Sequence, residues 1–291
     1  MIPDYPDFVP MSLDLKPDMH PQLALTPDGV SEFTFSNLYL FRKRYSYRVS
    51  HAKGHVQTFI ISGERDAKKF FMTPCAVPDQ EILNGLFESH DYWKGISDSV
   101  LDPNRVNLER WGISIAEDRD NFDYLYRRAD LAELSGKKYH KKRNLVNTFI
   151  NSYRYEQILL NPESIDPAFK VLERWRQDKG EDGDYVAAQE ALEHLGDLNM
   201  KGALYYVDGE PAGFCLGESL AKGRSFAIHF EKAIDAYKGI YQFINQAFAS
   251  TLPRYFTYLN REQDLGDEGL RQAKMTYRPS GFVRKYIGRR V

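Results

Sequence analysis

The chain has 291 residues, beyond the usual single-domain size of about 100–150, and so predicts two modules sharing one body. Hydrophobic residues at 42% and aromatics at 14% exclude a disordered chain, and a net charge of -2 excludes a surface that is cationic throughout, leaving polyanion contacts to local patches. No apolar run approaches the roughly 18 residues of a membrane span, and the acidic, Pro-rich start lacks the plan of a signal peptide, which together predict a cytosolic protein.

In chain order, the first twenty-odd residues predict an irregular arm or a short helix. "FTFSNLYLFRKRYSYRVS", "HVQTFIIS" and "KKFFMTP" alternate bulky and polar residues between turn signals and predict a small antiparallel sheet. "DQEILNGLF" is a helix, "RVNLERWGISIAED" returns to extended chain, and the segment from Asn121 to Tyr153 reads as two helices broken at Gly136. Beyond Pro162 and Pro167, "PAFKVLERWRQDKG" and "DYVAAQEALEHLG" are amphipathic helices that end at glycines. Three strands follow, "KGALYYVDG", "EPAGFCLGES" and "SFAIHFEKA", with Asp208-Gly209 as a turn. The helix "KGIYQFINQAFAS", the strand "RYFTYLN", the helix "DEGLRQAKMTY" and the closing strand "GFVRKYIG" complete the chain. Helix, helix, three strands, helix, strand, helix, strand is the order of the GNAT acyltransferase fold. Cys75 and Cys215 match no CxxC or zinc spacing and read as core residues, so no disulfide or metal is expected.

Five Lys or Arg and one His crowd into Lys137–Arg143. On a helix starting near Gly136, Tyr139, Leu145, Val146, Phe149, Ile150 and Tyr153 form the core face, while Lys137, Lys138, His140, Lys141, Lys142 and Arg143 spread around the helix start. Cations there oppose the helix dipole, and Lys137–Lys141 and Lys138–Lys142 are like-charge pairs at i,i+4. That cost makes sense if free N–H groups and cations together hold a phosphate, as in a polyphosphate or an RNA backbone. A solvated basic turn paired with acids of the other module is the alternative. The tail, with Arg284, Lys285, Arg289 and Arg290, is a second basic patch.

In "FAIHFEKA", alternation sets His229 and Glu231 on the face opposite Phe226, Ile228 and Phe230, so an imidazole and a carboxylate share one side of a strand. Either suits general-base work; the plainer reading has them, with Lys232, hydrogen-bonding across the module interface. The loop of Asn260, Arg261, Glu262 and Asp264 precedes a helix that Asp267 would cap and from which Arg271 and Lys274 project. Such charge density suggests a binding loop, with a salt-bridged surface loop as the alternative. GxGxxG, Walker, HExxH and GxSxG motifs are absent from the sequence. For an acyl-CoA phosphate only Gly239, at the start of "GIYQF", could serve as a cradle, which makes coenzyme A a weak donor candidate.

"GLRQAKMTYRPSGFVRKY" resembles the closing signature of the phosphatidylglycerol lysyltransferase C-terminal domain, through Gly269, Leu270, Arg271, Lys274, Tyr277, Pro279, Lys285 and Tyr286. "GKKYHKKRN", "IHFEKA" and "NREQDLGDEGLR" bring the chain nearer to a standalone bacterial branch of that family. The resemblance implies an α+β fold of two tandem GNAT-like modules, here 1–165 and 166–291, related to the Fem-type aminoacyltransferases. It implies a charged tRNA as donor and, as acceptor, a hydroxyl of an anionic lipid or an amine, with peripheral contact at the inner face of the membrane and no cofactor. "IHFEKA" departs from the strand motif of the lipid enzymes, and their membrane-spanning half is not in this sequence, which leaves the acceptor open. On this reading the cations at 137–143 steer tRNA or a lipid headgroup, His229 or Glu231 takes the proton of the attacking group, and Arg271, Lys274 and Lys285 hold phosphate or the oxyanion. A CoA-dependent N-acyltransferase and a non-catalytic binder of tRNA or anionic membrane are the alternatives.

Overall fold

The computed structural model describes every residue except 53, 54, 75 and 181, and no side chain of 55–57. Cys75 therefore lies outside the described residues, while Cys215 is buried and free, as expected of a core residue. Among the described residues no helix is long and apolar enough to cross a membrane.

The second half follows its sequence signals closely. Asn161 and Ser164 form a reciprocal capping box at the turn that leads into the helix Ile165–Lys179, which stops at Gly180 with a left-handed φ of 70°. The helix Tyr185–Glu193 follows, then three antiparallel strands, Lys201–Val207, Glu210–Leu220 and Ser225–Ala233. Asp208 and Gly209 both have positive φ, 52° and 88°, the signature of a two-residue turn whose twist suits the strands it joins. Ser225–Ala233 runs parallel to the short strand Tyr258–Asn260, with the helix Ile240–Thr251 as the crossover.

In the first half local pattern and structure diverge. Phe35–Leu40 and Arg42–Tyr45 are helical, and Thr34 caps the former by accepting from Asn37 N at 3.1 Å; the extended chain begins only at Arg48–Ala52. The alternation in "FTFSNLYL" signified nothing, because all six residues of Phe35–Leu40 are buried and no solvent face exists to alternate with. "RVNLER" is a short helix ahead of the strand Ile113–Glu117, and "DYLYR", read as helix, is the strand Asp123–Arg127.

The described residues form two seven-stranded sheets. The first takes strands from 9–117 and, between Tyr92–Ser97 and Ile113–Glu117, the last strand Lys285–Arg290. The second takes Asp123–Arg127 and Tyr155–Leu159 together with the strands of 201–260 and Gly281–Val283. The expected single closing strand is thus two, one in each sheet, with Arg284 at the crossing. A cut at 165/166 leaves two strands of the second sheet in the first segment and one strand of the first sheet in the second. One apolar core runs from Phe35, Val49 and Phe59 to Val171, Leu192 and Phe214, so the halves share an interior.

Charge joins the sheets where apolar packing gives way. Lys285 of the first sheet, fully buried, donates to Asp123 Oδ1 of the second at 2.7 Å and to Glu32 Oε2. Asp123 Oδ2 also accepts from Ser31 N at 2.8 Å and Asn260 Nδ2 at 3.0 Å, and Lys94 lies 3.8 Å from Glu32. Lys285 was expected to hold substrate; it is instead the pin between the sheets. Replacing Lys285 by Met leaves two buried carboxylates short of their cation and is expected to cost about 3–5 kcal/mol in urea unfolding. Arg284→Ala, which removes an exposed pair with Glu117, is expected to cost less than about 1 kcal/mol. Equal losses in the two variants would refute the pin.

Candidate active site

Between the two sheets lies a cavity of about 610 Å³. Glu32, Asn37, Tyr45, Lys94 and Lys142 line it from the first half, and Trp175, His229, Glu231, Lys232, Arg261, Glu262, Lys274 and Tyr277 from the second. Eight of the residues singled out from sequence therefore meet here: Lys142, His229, Glu231, Lys232, Arg261, Glu262, Lys274 and Tyr277.

A β-bulge places His229. Phe230 pairs with Leu216 and Ile228 with Gly217, so His229 has no partner in the register and the strand bends at that point. Gly217 permits this, because a Cβ there would stand 1.8 Å from Ala227 O. The buried imidazole is held at both nitrogens, Nδ1 2.7 Å from Glu262 Oε1 and Nε2 3.1 Å from Glu218 Oε1. Burial alone would lower its pKa, but the charge of Glu262 and the hydrogen bonds of both carboxylates outweigh it and push the pKa up to about 10. At neutral pH His229 is an imidazolium that donates from both nitrogens. It has no lone pair with which to take a proton, so the base role read from sequence for His229 does not fit its surroundings.

Glu231, two residues on, accepts from Arg261 Nη2 at 3.1 Å. In the amide orientation that satisfies both groups, Asn245 turns its oxygen to Arg261 Nη1 at 2.8 Å. Lys232 is engaged, with its ammonium 2.5 Å from Asp184 Oδ1 and 3.7 Å from the centre of the Trp175 ring. Lys274 donates to the main-chain carbonyls of Arg261 and Glu262, and burial together with the nearby Arg261 charge lowers its pKa to about 8.

The loop carrying Arg261 and Glu262 is built from within. Asn260 is fully buried, donating to Gly29 O at 2.9 Å and accepting Glu262 N at 2.8 Å. Asp264, also fully buried, accepts from Arg271 Nε at 2.9 Å and Nη2 at 2.7 Å, from the Tyr124 hydroxyl at 2.6 Å and from Gly266 N at 2.9 Å. These donors, Arg271 foremost, outweigh the effect of burial and hold its carboxyl well below the usual range. Asp267 caps the helix Glu268–Met275 through Leu270 N at 2.6 Å, as expected. Asn260, Asp264 and Arg271 thus shape the loop behind the cavity wall; Arg271 is occupied by Asp264 and by Asp120 at 2.6 Å and was expected to hold substrate.

The basic cluster divides. Lys137, Lys138, His140 and Lys141 are exposed, with Lys138 paired to Asp130 at 3.1 Å. Arg143 turns back to the carbonyls of Leu134 and, at 3.1 Å, Gly136, closing the end of the preceding helix. Lys142 alone of the cluster lines the cavity, 4.0 Å from the centre of the Tyr277 ring, while Arg261 lies 5.2 Å from the same ring. Burial and then the Arg261 charge lower the pKa of Lys142. Gly239 is not among the cavity residues. Its φ is 88°, and a Cβ would stand 2.3 Å from Leu145 O, so the glycine serves the close approach of two helices. Glu218, Glu32, Asn37 and Lys94 had escaped notice. The one available signal was Glu218, an acid inside the apolar strand "GFCLGESL".

A family model described as "Phosphatidylglycerol lysyltransferase, C-terminal" matches residues 23–289. A solved structure of a conserved protein of unknown function from Bacteroides thetaiotaomicron is 28% identical and superposes with a TM-score of 0.87, covering 100% of both chains. L-PGS from Bacillus licheniformis is 15% identical with a TM-score of 0.60, covering 100% of this chain and 94% of that one. FemX is 9% identical with a TM-score of 0.56, covering 97% and 96%. The last two likenesses are of fold, and they agree with the α+β, tandem GNAT-like plan that the resemblance implied.

The imidazolium sets a pH dependence. A His raised from an unfolded value near 6.5 to about 10 contributes stability that is complete below about pH 6.5 and is lost as pH rises through about 10. The stability difference between the wild type and His229→Gln should therefore shrink by up to about 1.4 kcal/mol per pH unit between about pH 7 and 10. Parallel unfolding free energies across that range would show that His229 is not held as a cation.

Proposed function

The chain belongs to the family of phosphatidylglycerol lysyltransferase C-terminal domains, and on that premise we propose that it moves an aminoacyl group from a charged tRNA to a hydroxyl of an anionic lipid or to an amine. The observation that carries the proposal is Lys142. It joins an exposed cationic patch, Lys137, Lys138, His140 and Lys141, to the interior of a cavity whose lining includes the Glu231 carboxylate and the Arg261 and Lys274 cations. A polyanion can lie on the patch while the end of its chain reaches inward past Lys142.

Inside, the parts suit attack on an ester carbonyl. Glu231, bound to Arg261 through one oxygen, takes the proton of the attacking hydroxyl or amine with the other. Arg261 and Lys274 face the negative charge that develops on the carbonyl oxygen, in surroundings that partial burial makes more responsive to charge. His229 holds Glu262 and thereby the loop that carries Arg261, so its part is to position. As the aminoacyl group passes to the acceptor, the bond from its carbonyl carbon to the tRNA ribose oxygen breaks, and that oxygen leaves as a hydroxyl with the proton that Glu231 had taken.

Incubation with a mixed pool of charged tRNAs plus lipid and amine acceptors, read by mass spectrometry, tests the reaction; no aminoacylated product from any acceptor sinks it. Glu231→Gln is expected to lower the rate of product formation by about 10²-fold or more with little change in tRNA affinity. Lys142→Gln is expected to weaken tRNA binding at every sequence and to reduce the slope of log affinity against log salt by about 1. An unchanged slope would remove Lys142 from the RNA path.

A further inference from the structure

A second groove, of about 510 Å³, lies over the first sheet and includes Tyr5, Phe8, Arg48, Ser62, Lys69 and His90 among its walls. Ser62 is on the strand His55–Arg65 and is half-buried, with its hydroxyl 2.8 Å from His90 Nε2. His90 follows the helix Gln80–Ser89 as its C-cap, with its N–H on Leu86 O at 2.9 Å and its Nδ1 3.0 Å from the same carbonyl. A carbonyl can only accept, so the neutral ring carries its proton on Nδ1 and presents the Nε2 lone pair to Ser62. Burial lowers the His90 pKa, which keeps the ring neutral at physiological pH. His229 has a carboxylate at each nitrogen and is a cation; His90 has at Nδ1 the Leu86 carbonyl and the Ser89 hydroxyl, each 3.0 Å away, the latter itself within 3.2 Å of the Gly85 and Leu86 carbonyls to which it donates, and at Nε2 the Ser62 hydroxyl.

A cation projects from the neighbouring strand into the same groove. Arg48 is the direct register partner of Ser62 on the neighbouring strand, so their side chains leave the same face of the sheet about 5 Å apart at Cβ. Arg48 Nη2 donates to Phe8 O at 2.6 Å, which fixes the guanidinium along the groove. The edge-to-face rings of Tyr5 and Phe8, 6.0 Å apart, form an apolar wall. Nucleophile and base are thus in hydrogen-bond contact, with Arg48 lining the same groove, away from the cavity between the sheets.

We propose that Ser62 and His90 form a second reactive centre that hydrolyses short-chain carboxylic esters. Ser62 Oγ bonds to the ester carbonyl carbon as its proton passes to His90 Nε2, and the carbonyl oxygen takes up negative charge beside Arg48. The tetrahedral adduct collapses, and the C–O bond to the alcohol breaks as the alcohol leaves with the proton from His90. Water then attacks the acyl-serine, gives a proton to His90, and the carboxylic acid departs as that proton returns to Ser62 Oγ. No oxidant, reductant or further reactant is required.

Two readouts test the centre on the full chain without any reference to aminoacyl transfer. A fluorophosphonate ester is expected to add one phosphonyl group at Ser62, located by peptide mass spectrometry, and p-nitrophenyl acetate to be hydrolysed at a rate at least about 10-fold lower in Ser62→Ala. His90→Asn keeps an N–H for Leu86 O but has no basic nitrogen, and is expected to lose both adduct and hydrolysis to a similar degree. The wild-type rate is expected to be full at pH 7 and to fall only at a pH below the ordinary imidazole value of about 6.5, because burial lowers the His90 pKa. Absence of an adduct, an adduct at another residue alone, or hydrolysis unchanged in Ser62→Ala overturns the proposal.

Discussion

The contact between Lys285 and the Asp123 and Glu32 carboxylates is the constraint on which the rest of the architecture depends. Beside the apolar core that the two sheets share, their junction is filled by a buried ammonium between two carboxylates, the three groups drawn from three separate stretches of chain. Such a cluster is a poor source of net stability, since desolvating each ion costs several kcal/mol before any attraction is recovered. Its effect is geometric. Asp123 also holds Asn260 and Ser31, Asn260 fixes the N–H of Glu262, and Gln263 donates to the Ser31 hydroxyl at 2.9 Å. Through these bonds the junction of the sheets dictates where the Arg261–Glu262 loop stands in the cavity. A hydrophobic junction could hold the sheets as firmly, but it would supply no directional bonds for the loop.

The cavity wall repeats the same logic with His229. The imidazolium satisfies two carboxylates from different elements, Glu218 of the neighbouring strand and Glu262 of the loop, and both would be costly to bury without it. The acids in the lining come with cations already beside them: Glu32 with Lys285, Asp184 with Lys232, Glu231 with Arg261 and Glu262 with His229. Lys142, by contrast, faces an aromatic ring, and Lys274 faces main-chain carbonyls. The interior therefore favours a ligand bearing negative charge or one that develops it, which is the property expected of a site for acyl transfer from a polyanionic carrier.

How much of this was legible depended on whether the signal was local. The meander with its Asp208-Gly209 turn, the helix closed at Gly180 and the Asp267 cap are local rules obeyed, and they were read correctly. The family signature pointed to Lys274, Tyr277 and Lys285, but a motif does not say which of its residues meet the ligand: Lys274 and Tyr277 line the cavity, while Lys285 lies in the junction behind it. Strand alternation put His229 and Glu231 on one face, yet the charge on His229 came from Glu218 and Glu262, which lie 11 and 33 residues away. Phe35–Leu40 was misread because an element buried on all sides carries no amphipathic period, and Asp123–Arg127 because its run of buried Asp123, Tyr124 and Tyr126 breaks the strict alternation of a half-buried strand. The partition of the last strands between the sheets was illegible for a different reason, since "GFVRKYIG" is uniformly strand-like and only tertiary pairing divides it at Arg284.

The basic run at Lys137–Arg143 shows how a local conflict is resolved by distributing its members. Seven consecutive residues with six basic side chains at the start of a helix oppose its dipole, and the structure relieves much of that opposition without any ligand. Arg143 leaves the helix start to close the preceding helix, Lys138 pairs with Asp130, and Tyr139 is buried as an anchor. Lys142 is not relieved in this way. It is half-buried, has a depressed pKa, and stands over Tyr277 opposite a second cation, Arg261. A lysine in such a place would be stabilised as a cation by an anion from outside, and the exposed Lys137, His140 and Lys141 on the adjoining turn would raise the local concentration of such anions. Folding accounts for Lys138 and Arg143; on the proposed reading Lys137, His140, Lys141 and Lys142 serve a ligand that extends from the surface into the cavity.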